Sequence, residues 1–254
     1  MNNKESIEKT KKSFEESFRL GSYYNKQTRD ENHLELILKC IQVKSGMRIL
    51  DLGTGSGYLA FPFAKKYKQA EVVGLDIVEK TLDENRKRAE SEGISNIHFV
   101  SYEGMEFPFE DNSFDVVITR YALHHFPEIK ATFREINRVL KKNGIFFLSD
   151  PAPNDNDTKR FVDEYMQMKK DGHIKFYTKD EWKEVGNLVG LKYVDDFETS
   201  IRFPRKKTES VEFDDIISRH DEAVIRGYSV ESIENEIWIT EKVNNLLFMK
   251  MDFE

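Results

Sequence analysis

Ile49-Leu50-Asp51-Leu52-Gly53-Thr54-Gly55-Ser56-Gly57 is an apolar run that ends in an acid and passes at once into a glycine-rich turn. Glycines at alternate positions let a chain leave a strand through backbone conformations closed to other residues, and let a ligand approach the main chain. Tyr58-Leu59-Ala60-Phe61 then opens an amphipathic segment whose first amides face that ligand. A phosphate-cradling loop needs Lys-Ser or Lys-Thr directly after its last glycine, and Tyr58-Leu59 stands there instead. A dinucleotide site asks for G-x-G-x-x-G, and Tyr58 takes the place of the third glycine. The plainest alternative is a strand-to-helix turn that binds nothing.

Asp51, two positions before the first glycine, narrows the choice. A carboxylate beside a pyrophosphate meets like charge in a partly dry site, whereas beside an ammonium or sulfonium cation it is attractive. S-adenosylmethionine carries both cations and an adenosine. With these residues the chain resembles the class I S-adenosylmethionine-dependent methyltransferases, whose first motif reads much like Asp51 to Gly57. The resemblance implies Gly53, Thr54, Gly55 and Gly57 as cofactor-binding positions.

The chain has 254 residues, enough for one sizeable α/β domain with additions. Its formal charge is −7 and the acid is spread along the chain, so no broad basic face is expected and nucleic acid is not an expected partner. The basic run Arg205-Lys206-Lys207 reads as a solvated loop. Cys40 is the only cysteine, which rules out an intrachain disulfide and a thiolate metal cluster and is compatible with a reducing cytoplasm. No metal is expected. The start of the chain is polar, and nowhere do about eighteen apolar residues run together, so a cytoplasmic protein without membrane insertion is the expectation.

Beyond the glycine turn, short apolar runs alternate with amphipathic ones, the pattern of β-α-β units and a parallel sheet. Strands are read at 71–76, 97–101, 115–119 and 145–149, with helices at 78–92 and 131–141, the second closed by Asn143-Gly144. Helical spacing also covers 7–20, 31–42 and 156–170, and Thr178 to Glu181 has capping-box spacing that starts a helix running to Gly190. Residues 191–197 and 246–253 are the last two strands, with an acidic helical stretch between them. The expected fold is α/β: a Rossmann-like, doubly wound, seven-stranded and mostly parallel sheet with an antiparallel last strand. Within this single domain we read a helical cap at 1–44, a cofactor-binding core at 45–150, a helical insertion over the substrate at 151–190 and C-terminal elements at 191–254.

Asp76 ends the second strand, where an acid accepts hydrogen bonds from ribose hydroxyls, with Ile77 beside it; the alternative for Asp76 is a helix N-cap. The segment Tyr102-Glu103-Gly104-Met105-Glu106-Phe107-Pro108-Phe109 resembles the family's third motif, which implies an adenine contact at Glu103 and Gly104, with Glu where many relatives carry Asp. Thr119-Arg120-Tyr121-Ala122-Leu123-His124-His125-Phe126 resembles the corresponding loop of the small-molecule branch that includes quinone-biosynthesis methyltransferases, and lacks the Pro-Pro-aromatic signature of nucleobase amine methyltransferases. Carbonyls near Arg120 are the expected receiver of the methionine ammonium. Asp171-Gly172-His173-Ile174 resembles an Asp-Pro-Ser-His-Val segment of uncharacterised bacterial methyltransferases, with one gap, and the match runs on through Glu181-Trp182. Tyr24, with Tyr23, lies in the linker where the family often places an aromatic over the cofactor, and an aromatic face attracts a sulfonium by about 0.5 to 2 kcal/mol.

Methyl transfer is an in-line displacement, so the protein must mainly align nucleophile, methyl and sulfur. A base is needed only if the nucleophile keeps a proton, and His124, His125 and His173 are the candidates, against packing histidines as the alternative. The reading is therefore S-adenosylmethionine-dependent methylation of a small-molecule acceptor. Its rivals are a cofactor-binding protein without chemistry and an NAD-dependent oxidoreductase. On the charge argument, Asp51→Ala weakens cofactor binding by about 1 to 3 kcal/mol and leaves the fold intact.

Overall fold

A computed structural model describes residues 2–19, 29–169, 171–207 and 212–251 of the chain. Strands β1 (Arg48–Leu52), β2 (Glu71–Asp76), β3 (Ile97–Ser101), β4 (Phe114–Arg120) and β5 (Leu140–Ala152) are parallel, and β1 and β4 are almost wholly buried. Strands covered on both faces need near-continuous apolar sequence, which is what the short runs supply. β8 (Glu236–Lys250) lies antiparallel between β5 and β6 (Leu191–Lys206), giving the order β3-β2-β1-β4-β5-β8-β6. The seven-strand path is the expected one. A short β7 (Glu231–Ile233) pairs with β8 off that path and makes the sheet eight-stranded.

Helices cover both faces. α2 (Glu31–Cys40), α3 (Ala60–Lys66) and α4 (Glu79–Ser91) pack Ile37, Phe61 and Leu82 on one side. On the other are α5 (Ile129–Val139), which buries Ile129, Phe133 and Ile136 at helical spacing, and α7 (Lys179–Leu188), which buries Trp182. Thr178 and Glu181 form the capping box that the spacing predicts. α1 (Asn3–Arg19) precedes the sheet, and α6 (Phe161–Gln167) lies in the insertion after β5.

Three boundaries differ from expectation. α5 stops at Val139, and Asn143-Gly144 lie within β5, where the register against β4 slips, so the pair forms a strand irregularity rather than a helix stop. The last two strands are much longer than 191–197 and 246–253. Their outer halves pass the end of β5 at Ala152, and there Ile201, Phe203, Ile237 and Ile239, with Val243 opposite Pro151, join Phe161, Val162 and Tyr165 of α6 in a third apolar cluster. α8 (Phe213–Arg219) and α9 (Glu222–Gly227) close this upper lobe with Ile216 and Val224. Arg205 is accordingly no loop residue: it is buried in β6 and its guanidinium donates to the Tyr165 carbonyl at 2.7 Å.

Candidate active site

The chain runs from β1 through β2 to β3 in one direction across the sheet and returns through β4 and β5 in the other, so a crevice opens at the carboxyl ends of β1 and β4. A cavity of about 170 Å³ occupies it. Its wall includes Gly53, Thr54, Gly55, Asp76, Ile77 and Arg120, expected from sequence, and also Thr10, Phe14, Tyr58, Tyr102 and Tyr121, which were not.

The glycine turn does two different jobs. Gly55 holds φ +47° and a Cβ there would meet nothing within 4 Å, so its backbone stays open on the cavity side of the turn. Gly57, at φ +74°, is not on the wall; a Cβ would come within 2.5 Å of Phe61, and the glycine lets α3 seat closely against the turn.

Asp76 is the acid that faces the crevice. Its Oδ2 accepts from the Gly55 amide at 2.8 Å and its Oδ1 from the Val78 amide at 3.0 Å, so the carboxylate joins the glycine turn to the end of β2. Burial pushes its pKa upward against those two amides. Asp76 faces the cavity and anchors the start of the β2–α4 connection, while the N-cap position of α4 is Val78, which has no side-chain cap.

Asp51 differs from expectation. It is buried behind the turn and off the cavity wall, with Oδ2 accepting from Thr54 Oγ1 at 2.7 Å and from the Ala60 amide at 3.1 Å. It braces the loop, so the fold-neutral outcome for Asp51→Ala is replaced by a loss of about 1 to 3 kcal/mol of stability from two buried donors left without an acceptor, to be read from urea unfolding. Burial lifts the Asp51 pKa from 3.8 to about 7. The folded state thus holds this proton more tightly than the unfolded chain: the contribution is complete below 3.8, decays as pH rises and is gone above about 7. Unfolding of the wild type and Asp51→Asn across pH 4 to 8 should show the wild type's relative stability falling over that window; parallel curves would contradict it.

Glu103 is also displaced. Its side chain is exposed and Tyr102 takes the wall position, while Gly104 lies against Ile7 of α1, which a Cβ would approach to 2.9 Å. Tyr23 and Tyr24 lie outside the described residues. Arg120 sits at the end of β4 with its guanidinium 4.1 Å from the Tyr58 ring centroid and 3.8 Å from that of Tyr121. Tyr58 was legible as an aromatic directly after the glycine turn. Phe14, on a helix remote in sequence, carried no such signal.

The three candidate histidines come together. His124 and His125 form a 3-10 turn after β4 with ring centroids 4.2 Å apart, and His173 lies 5.4 Å from His124. The Ile174 amide donates to the His124 carbonyl at 2.9 Å and ties the insertion to this turn. His124 Nδ1 meets Asp150 Oδ1 at 2.9 Å, and His173 Nε2 donates to Asp163 Oδ1 at 2.9 Å. Burial, followed by the neighbouring His173, drives the His124 pKa well below its usual range, and burial drives that of Asp150 well above, so both groups favour their neutral forms.

Only His125 of the three reaches the cavity wall. Phe14 of α1 stands edge-on to it at 5.1 Å, and its Nδ1 is buried with no hydrogen-bond partner among the described residues. Burial, then the adjacent His124, lowers its pKa well below the usual value, so it favours the neutral form. Among the described residues no group of three or more His, Cys, Asp or Glu side chains is arranged to hold a metal ion, and no helix is long and apolar enough to cross a membrane.

Known proteins share this fold. The chain is 32% identical over 163 residues to the uncharacterized methyltransferase YcgJ of Bacillus subtilis (strain 168), covering 64% of each chain. It is 34% identical over 110 residues to the demethylmenaquinone methyltransferase of Staphylococcus aureus (strain MRSA252), 43% of this chain and 45% of that one. The crystal structure of YcgJ superposes with a TM-score of 0.76 at 25% identity, over 88% of this chain and all of that one. The chain thus spans less than two thirds of the sequence length of these relatives. A family model described as a methyltransferase domain matches residues 43–191, from just before β1 to the first residue of β6, and by that match the chain belongs to the methyltransferase-domain family.

Proposed function

We propose that this chain is an S-adenosylmethionine-dependent methyltransferase of the cytoplasm that acts on a small-molecule acceptor and releases S-adenosylhomocysteine. The observation that carries the reading is Asp76. Its carboxylate is fixed by the Gly55 and Val78 amides at the end of β2 and faces a cavity walled by a glycine turn and aromatic rings. That donor and acceptor set fits an adenosyl ligand: the Asp76 oxygens suit ribose hydroxyls, and Tyr102 and Ile77 offer apolar faces to a base. The Phe14 ring on the cavity wall suits a sulfonium, which an aromatic face attracts by cation–π contact, while Arg120 lies against the rings of Tyr58 and Tyr121. Bound there, the cofactor supplies an activated methyl group.

The chain's own residues do the rest. α1 places Thr10 and Phe14 on the wall of the crevice. His125 is the one of the three histidines on the cavity wall, and the His124–Asp150 and His173–Asp163 pairs fix the turn that carries it. His124 and His173 are thus positioning residues and His125 the candidate base.

Calorimetric titration with S-adenosylmethionine and S-adenosylhomocysteine is the direct test, with transfer of labelled methyl from S-adenosylmethionine to a small-molecule extract as the second arm. Binding of both and label in a low-mass product are expected. Absence of binding overturns the reading, as does preferential binding of NADH. Tight binding with no transfer from any extract favours a cofactor-binding protein without chemistry.

A further inference from the structure

We infer that Arg120 is the anion-binding residue of the cofactor site, that its guanidinium takes the carboxylate of the methionine moiety, and that His33 and Asn245 orient it. The inference rests on the methyltransferase reading and assigns a residue of this chain to one end of that ligand.

Arg120 is the last residue of β4 and stands half-buried on the cavity wall. Gly53 lets the two strand ends approach: it holds φ +69°, and a Cβ there would come within 2.6 Å of the Ala122 Cβ, so the loop after β4 lies directly against the glycine turn. The guanidinium packs on the Tyr58 ring at 4.1 Å and on the Tyr121 ring at 3.8 Å. Both residues are anchored. The Tyr58 hydroxyl donates to the Asp30 carbonyl, and the Tyr121 amide donates to the Ser149 carbonyl at 2.8 Å. Tyr121 holds φ +56°, which a bulky residue adopts only when its surroundings impose it.

Behind these rings a run of buried polar groups aligns the guanidinium. Its Nε donates to His33 Nδ1 at 3.4 Å, His33 Nε2 meets Asn245 Oδ1 at 2.7 Å, and Asn245 Nδ2 donates to Thr199 Oγ1 at 3.1 Å. Burial of His33, followed by the charge of Arg120, lowers the imidazole pKa to about 4, so the ring is neutral at pH 7. A neutral ring that accepts at Nδ1 carries its proton on Nε2 and donates it to Asn245. The relay joins β4, α2, β8 and β6 and occupies Nε. Arg120 Nη2 is buried with no hydrogen-bond partner among the described residues, and no ion pair among them includes Arg120. A guanidinium held in place beside a cavity without a counter-charge is costly, and an entering anion removes that cost.

Charge decides which end of the ligand meets it. S-adenosylmethionine carries a sulfonium and an ammonium, both of which a guanidinium repels, and one carboxylate, which it attracts. With the ribose hydroxyls assigned to Asp76 at the end of β2, the carboxylate end is left for β4, where Arg120 is the one Arg or Lys among the described residues of the wall. Two parallel N–H donors match the two oxygens of a carboxylate, a fork that Lys does not reproduce. Arg120 also lines a second cavity of about 360 Å³ with Arg29, Arg202, Asp30 and Glu31, where the other two arginines and the two acids offset one another. A carboxylate of the acceptor, bound in that second cavity, is the competing claimant.

The test titrates the full chain calorimetrically with S-adenosylhomocysteine and with its decarboxylated analogue, which keeps the adenosyl, sulfur and ammonium groups and lacks only the carboxylate. The wild type is expected to bind S-adenosylhomocysteine at least tenfold more tightly than the analogue. Arg120→Met should lower the S-adenosylhomocysteine affinity at least tenfold without lowering that of the analogue, and Arg120→Lys should fall between. His33→Leu, which removes the acceptor for Nε, should reduce the preference a few-fold, and an unchanged preference there overturns its orienting role. Equal affinities in the wild type, or a full preference retained in Arg120→Met, would overturn the assignment and leave the guanidinium to an acceptor carboxylate. Equal losses for both ligands in Arg120→Met would overturn it as well. Should that variant fail to fold by circular dichroism, an unchanged preference in Arg120→Lys overturns the proposal. A wild type that binds neither ligand would instead overturn the methyltransferase reading on which the proposal rests.

Discussion

Asp76→Ala is expected to weaken S-adenosylhomocysteine binding about 100-fold, or about 2.7 kcal/mol, while the chain still folds. Two effects add. The variant removes the acceptor assigned to the ribose hydroxyls, and hydrogen bonds to a charged group contribute about 1.5 to 3 kcal/mol. It also frees the Gly55 and Val78 amides, which the carboxylate holds at 2.8 and 3.0 Å, so the glycine turn loses its tie to β2 before any ligand arrives. The fold should survive because Asp76 is only half-buried, at a strand end outside the apolar clusters. Asp76→Asn, which keeps one acceptor oxygen, should fall between the two. A dissociation constant within twofold of wild type would remove Asp76 from the cofactor site.

The second large effect concerns stability. Trp182→Ala should lower the free energy of unfolding by about 3 to 5 kcal/mol in urea, since emptying so large a buried site forfeits both transfer energy and packing. Trp182 is fully buried on α7, lies parallel to Phe133 at 5.6 Å and contacts Tyr177 at 4.3 Å. Its indole Nε1 has no hydrogen-bond partner among the described residues, so nothing polar is lost when the indole is replaced by a smaller ring. Trp182→Phe should therefore cost about 1 to 2 kcal/mol, the price of the residual void. Equal losses for Ala and Phe would mean that a polar contact, and not the ring's volume, holds α7 to the sheet.

How much was legible follows from the range of the signal. The parallel strands, the helices between them and the capping box at Thr178 are set by neighbours a few residues apart, and these were readable. The glycine turn and Asp76 were readable for the same reason. Asp51 was read as facing the cationic end of the cofactor, and the structure places its carboxylate behind the glycine turn. Sequence places an acid before the glycines, and only packing shows that its oxygen reaches Thr54 and Ala60 rather than the cavity. Glu103 and Tyr102 are adjacent in sequence, and the exit path of the chain from β3 decides which of them faces in. Asn143-Gly144 looked like a helix stop because the residues that stop a helix also permit a strand irregularity.

Sequence by itself determined a parallel α/β core, a glycine turn at its switch point and an acid at the end of β2, because each is encoded by periodicity or by a residue's own backbone freedom. Only the tertiary structure decided that His124, His125 and His173 meet, that Phe14 stands edge-on to His125, and that Glu241 is buried beyond the end of β5 with no hydrogen-bond partner among the described residues. Those pairings join segments far apart along the chain. They arise when the sheet, α1 and the β6–β8 ribbon bury their apolar faces together, a cooperative outcome that no local stretch of residues specifies.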